Sequence, residues 1–173
     1  MDPQLIERLR SERGTTLIET AVASGILLVV MVGLLSMAAL ATTYTENHGH
    51  LEARTTEYAQ DKMEQLLAIA YTDSVSNTVT FPATSSGGTG LAVGGSVNTA
   101  APVNGYVDWL AQDGSLLGGG ATAPANWFYE RVWQITQAST SIKQITVTTI
   151  VRSSVGRALI PRSTVVALKT SQF

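Results

Sequence analysis

Arg13-Gly14-Thr15-Thr16-Leu17-Ile18-Glu19 opens the stretch that decides the fold, because no further charged residue appears until Glu46. Thr20 to Thr45 is built almost entirely of Ala, Val, Leu, Ile, Met, Gly, Ser and Thr. As a helix rising about 1.5 Å per residue, it exceeds a bilayer core of roughly 30 Å and can span it with some tilt. A charged group at the edge of hydrocarbon is costly unless paired, so Glu19 requires a cationic partner within the membrane. Arg8, Arg10 and Arg13 precede the span, with Asp2, Glu7 and Glu12 among them. Basic flanks remain cytoplasmic, which places Thr42 to Phe173 on the outer side.

A secretory signal peptide is the competing reading of the same N-terminus. It would use the arginines as n-region, Val22 to Leu35 as h-region, and Ala39 and Ala41 as the small residues of a cleavage site, releasing a binding module or adhesin that begins near Thr42. It gives Glu19 no role and leaves an apolar run longer than an h-region needs. An envelope enzyme anchored by the whole N-terminus is a third possibility.

Gly14 followed by Thr-Thr-Leu-Ile-Glu and an apolar helix resembles the class III leader of type IV prepilins and type II secretion pseudopilins. The segment Ala59-Gln-Asp-Lys-Met-Glu-Gln-Leu66 is similar to the matching helix of PilV-type minor pilins and of pseudopilin I. The resemblance implies that residues 1–14 are a leader removed by a prepilin peptidase after Gly14. Thr15 then becomes the mature N-terminus and Glu19 the fifth mature residue. The new α-amino group, with an ordinary pKa near 8, is cationic near neutral pH and can meet Glu19 of a neighbouring subunit. Correct stagger is favoured, because an unpaired carboxylate in a low-dielectric medium is penalised. Glu19 is thus expected to set register, and no residue is expected to be catalytic.

The implied partners are other pilin or pseudopilin subunits, the peptidase and an inner-membrane assembly platform. The implied location is the inner membrane, then a surface pilus or periplasmic pseudopilus. The implied role is that of a minor subunit in assembly initiation, at the tip and in adhesion. Thr15 stands where the family commonly carries an N-methylated Phe, and Ser36 lies where a helix proline is often found. Small residues at Ala21, Ser24, Gly25 and Gly33 suit close helix approach.

About 120 residues remain after the leader and span, enough for one small domain. The net charge is -2 and the basic residues form no patch, so nucleic acid has no electrostatic claim on the chain. There is no cysteine, which removes disulfides, thiol catalysis and cysteine-ligated zinc together. His48 and His50, the only histidines, diverge by about 200° on a helix and make a poor metal pair. Asp73, Asp108 and Asp113 lack calcium-loop spacing, and Ser153 and Ser154 lie beside no predictable base. Gly87-Gly88-Thr89-Gly90 is followed by no Gly-Lys-Ser/Thr, so it reads as a surface loop and not as a phosphate cradle. No cofactor or metal is expected.

The helix continues past the membrane. Leu51, Thr55, Tyr58, Ala59, Met63, Leu66, Leu67 and Ala70 recur at spacings of three and four, while Glu52, Glu57, Asp61, Lys62 and Glu64 fall on the remaining faces. The expected end is Tyr71 to Ser74. Gly and Ser rich segments at Ala83–Ser96 and Leu117–Asn126 read as loops. Period-two runs at Trp127–Ile135, Ile142–Arg152 and Ser163–Lys169 read as strands, and Tyr106–Leu110 leads into a turn at Gln112-Asp113-Gly114. Trp127, Tyr129, Trp133 and Ile135 should share one face against the helix, with Arg131 snorkelling or lying at the sheet margin. The expected fold is α+β and pilin-like: residues 15–45 as the membrane half of the helix, 46–74 as its amphipathic half, and 75–173 as a head with a three- or four-stranded antiparallel sheet.

Overall fold

A computed structural model describes residues 3–152 and 160–171, with side chains from Thr16 onward among the helical residues. One helix, α1, runs from Pro3 to Ala68. The chain divides into two compact units, residues 1–47 and residues 48–173.

The second unit holds the end of α1 and eight strands: β1 Ser76–Asn77, β2 Thr84–Gly87, β3 Gly94–Gly95, β4 Val107–Leu110, β5 Leu116–Gly119, β6 Tyr129–Ser139, β7 Ile142–Val151 and β8 Arg162–Thr170. All pairings are antiparallel. The main sheet runs β5-β4-β6-β7-β8, β3 also pairs β6, and β1-β2 form a separate ribbon. The α+β layout of a long helix on an antiparallel sheet therefore holds, but the sheet has six strands instead of three or four. The extra ones, β3 and β5, lie in glycine-rich sequence that pairs through its backbone and offers no side-chain alternation to read.

The sheet is fixed to α1 by period matching. Ala59, Met63 and Leu66, on one helical stripe, pack with Trp133, Ile135, Ile145 and Val147, and Leu91 and Tyr106 close the cluster. Tyr58 meets Tyr129 edge to face at 4.8 Å, with Leu110 and Val151 around them. Each fully buried side chain of this size contributes roughly 1.5–3 kcal/mol of transfer free energy. On the opposite sheet face Val107, Trp109 and Val132 form a smaller cluster.

Four details depart from the sequence pattern. Trp127 precedes β6 and packs edge-on against Trp109, 5.0 Å between centroids, so it belongs to the far face and not to the helix-facing row. The helix ends at Ala68, before Tyr71, where the Lys169 ammonium bonds the Leu67 carbonyl and supplies a C-terminal partner. Leu67 and Ala70, placed on the apolar stripe by spacing, are exposed. Lys62, assigned by spacing to a polar face, is completely buried.

The expected turn after β4 is present. Asp113 Oδ1 accepts the Ser115 amide at 2.9 Å, and Gly114 adopts φ 87°. A Cβ there would lie 2.4 Å from the Tyr58 hydroxyl, so both conformation and space require glycine.

Candidate functional site

In the first unit, the large apolar side chains from Leu17 to Leu40 are 51–72 % exposed. The helix contains an 18-residue window of mean hydropathy 2.4, none of it buried. A continuous apolar surface of this extent marks contact with a membrane or with other protein. By length and composition α1 is a candidate for a single membrane span.

Its hydroxyls suit that medium. Thr20, Ser36, Thr42, Thr43 and Thr45 each donate to the carbonyl four residues back, at 2.7–3.1 Å, so they present no unpaired donor to hydrocarbon. Glu19 is exposed on this surface, and among the described residues it takes part in no ion pair. Added Cβ atoms at Gly25 and Gly33 would meet nothing within 4 Å, so neither glycine is required by packing inside this chain. Gly14 and Thr15, the expected processing residues, belong to the helical backbone of α1 just before the first described side chain.

In the head the structure assembles charges that spacing did not connect. The Arg131 guanidinium is bidentate on Asp108, Nε to Oδ1 at 2.7 Å and Nη2 to Oδ2 at 3.0 Å. Its Nη1 reaches Asp61 on the helix at 2.9 Å. Lys62 Nζ lies 2.7 Å from Asp108 Oδ2 and 4.2 Å from the centre of the Trp133 ring, and it donates to the Thr78 carbonyl. Asp108 and Lys62 have no exposed surface, and Arg131 is 3 % exposed. Arg131 therefore neither snorkels nor sits at a margin. Strand pairing sets Asp108 directly across from it, and the stripe of α1 that meets β6 supplies Lys62 and Asp61.

Burial pushes the Asp108 carboxyl up, but the Lys62 and Arg131 cations outweigh it and hold it below the usual carboxylate range. Burial lowers Lys62 despite Asp108, with Arg131 adding to the fall. Two cations share one buried carboxylate; desolvation penalises all three groups, and only at Lys62 does it outweigh the pairing. The cluster pins α1 to β4 and β6 at one register.

Glu130, the next residue, faces the other way. It is 2 % exposed, its Oε1 has no hydrogen-bond partner among the described residues, and burial raises its pKa to about 7. Lys143 is also buried; it donates to the carbonyls of Tyr71 at 2.7 Å and Leu91 at 2.8 Å and lies over the Tyr71 ring. Asp73 receives the Val75 and Ser76 amides at 3.0 and 2.9 Å and organises the turn after α1. Asp113 serves its own turn in the same manner.

His48 pairs with Glu52 at 3.3 Å along the helix. Among the described residues no group of three or more His, Asp or Glu side chains could hold a metal ion. Ser153 and Ser154 lie outside the described residues. The signal for the buried cluster was present in the stripe itself: Lys62 follows Tyr58 by four residues and Ala59 by three, so a helix burying both must bury Lys62 too.

No family model, curated protein or solved structure matches this chain.

Proposed function

We propose that the chain is a minor type IV pilin-like structural subunit. In this reading it is cleaved after Gly14 by a prepilin peptidase and assembled through α1 into a type IV pilus or related filament. The observation that carries the reading is Glu19: a carboxylate that takes part in no ion pair among the described residues, at the mouth of an exposed, charge-free apolar helix and five residues past a glycine. Cleavage after Gly14 would place an ammonium on Thr15. Stacking helices with the stagger that brings this ammonium to Glu19 of a neighbour would neutralise both charges within hydrocarbon. Other staggers leave each group desolvated and unpaired, so the pair selects one register.

The exposed apolar surface has two successive roles in this account, first lipid contact before assembly and then packing among parallel helices. Ala21, Ser24, Gly25 and Gly33 allow backbones to approach. The head has a structural and recognition role, and its buried charges serve its own fold. The partners are other pilin or pseudopilin subunits, the peptidase and the inner-membrane assembly platform, with no cofactor, metal or nucleic acid. The test is incorporation of Glu19→Ala into sheared filaments. Processing continues while incorporation falls at least tenfold; normal incorporation contradicts the register mechanism.

A further inference from the structure

We infer that the head carries a binding cleft for a neutral saccharide, in the concavity where Gly87-Gly88-Thr89 faces the β5 end and the Asn104 turn. The cleft measures about 410 Å³. That lies within the ~300–1,000 Å³ typical of small-molecule sites. The glycine-rich segment that could not cradle phosphate thus forms one wall of a different site.

The chemistry of the lining selects the ligand class. Its polar side chains are Asn77, Thr78, Thr89 and Asn104, and no charged side chain lines it. Lys62, which reaches the Thr78 carbonyl from behind, is wholly buried and occupied by Asp108, so it offers an anionic ligand no counter-charge. Asn77 Oδ1 already accepts the Val79 amide at 2.9 Å and the Thr89 hydroxyl donates to the Gly105 carbonyl at 2.9 Å, which leaves the Asn77 amide N–H, the Thr89 lone pairs and the Asn104 side chain to donate to and accept from a ligand whose groups do both. Sugar hydroxyls meet that condition without charge; phosphate and sulfate are anions that the uncharged lining does not neutralise.

Two further observations point to a site rather than a packing defect. Thr78 is 3 % exposed, and its hydroxyl, shielded from solvent behind the cleft wall, has no hydrogen-bond partner among the described residues. A buried hydroxyl left unpaired costs about 1–3 kcal/mol, which a ligand hydroxyl reaching it would offset. The glycines also divide by function. At Gly88 and Gly119 a Cβ would fall 2.3 Å from the Ser76 carbonyl oxygen and 2.5 Å from Val79 Cγ2, so these shape the walls. At Gly87 nothing lies within 4 Å and at Gly120 only Asn104 Oδ1 at 3.7 Å; both adopt positive φ, 86° and 110°, so glycine is needed there for the turn, and the backbone beside the cleft is left uncovered. A peptide would bring similar hydrogen bonds, but the cleft is a short concavity instead of an extended strand edge, which favours a compact ring.

The inference concerns the head alone and stands whether or not α1 assembles filaments. Its test uses the full chain, labelled with ¹⁵N-glycine, in a zwitterionic detergent with no sugar headgroup. The fifteen glycines provide probes in the cleft, with Gly25, Gly33 and Gly49 as remote controls. Lactose, maltose and N,N′-diacetylchitobiose are titrated separately, with tetraglycine as the peptide comparison. The expected result is saturable shifts at Gly87 and Gly120 with at least one sugar, at a dissociation constant of about 1–10 mM, with the remote glycines still. Asn104→Trp, which fills the cleft from an exposed position, weakens this at least tenfold while the far-ultraviolet circular dichroism is unchanged. Absence of shifts with all three sugars overturns the inference. So do shifts that survive Asn104→Trp in a folded protein, or shifts produced by tetraglycine alone.

Discussion

Asp108→Asn is the sharpest perturbation of the head, because one side chain holds two buried cations. The substitution keeps shape but turns one oxygen into an amide that faces Lys62 or Arg131, and removes the only fully buried negative charge of the cluster. Asp61, half exposed, remains 2.9 Å from Arg131, while Lys62 keeps only the Thr78 carbonyl and the Trp133 ring. Breaking a buried pair while leaving its partner uncompensated costs about 3–5 kcal/mol, against roughly 5–15 kcal/mol for the whole stability of a domain. For a domain of this size that corresponds to a fall in Tm of roughly 10–20 °C.

All three tryptophans lie in the head, so their fluorescence follows its unfolding even in detergent. Urea titration at pH 7 should show the midpoint falling with little change in slope. Lys62→Met added to Asp108→Asn should recover at least half of the loss, since Arg131 then has Asp61 to itself. The triple variant Lys62→Met, Asp108→Leu, Arg131→Met should unfold within about 2 kcal/mol of the parent or above it, because well-packed apolar replacements avoid the desolvation cost. A loss below about 1 kcal/mol for Asp108→Asn would refute the reasoning, since water would then be solvating the cations.

Glu130 should make the head less stable as pH rises. Its folded pKa of about 7 lies above its ordinary 4.5, so the native state binds the proton more tightly. Stability is therefore fully present below pH 4.5, declines as pH rises from there to about 7 and levels off above it, with a loss of at most about 3.5 kcal/mol at ~1.4 kcal/mol per unit; Glu130→Gln should flatten that decline in urea midpoints taken from pH 5 to 8. Gly114→Ala combines a left-handed conformation with a collision at Tyr58, and should cost about 1–3 kcal/mol in the same titration. Gly14→Ala should leave the precursor uncleaved in membranes, read as a mass increase on gels, with the head still folded.

The helix and the three long strands were legible because their burial follows simple periods. Tyr129, Trp133 and Ile135 alternate along β6, and Tyr58, Ala59, Met63 and Leu66 recur along α1. What periodicity conveys is a direction, not a depth. It set Arg131 on the helix-facing row, yet the partner that makes full burial tolerable, Asp108, is 23 residues away and Asp61 is 70 away. Ordinary expectation for an arginine is exposure, so nothing local announced its position. Lys62 was misplaced for the same reason, its charge outweighing its place on the stripe. Strands β3 and β5 and the saccharide cleft depend on glycine backbone and on chain segments remote in sequence. Glu19 stood out from sequence alone, because one charge among apolar residues needs no tertiary information to be conspicuous.

The central claim is that Glu19 is neutralised by an amine created at Thr15. The most direct measurement is the N-terminal sequence and intact mass of the protein recovered from the envelope and from sheared filaments. The account predicts a polypeptide that starts at Thr15, with or without one added methyl group. A start near Thr42, or an intact Met1, would contradict it, since neither leaves an ammonium four residues before the carboxylate.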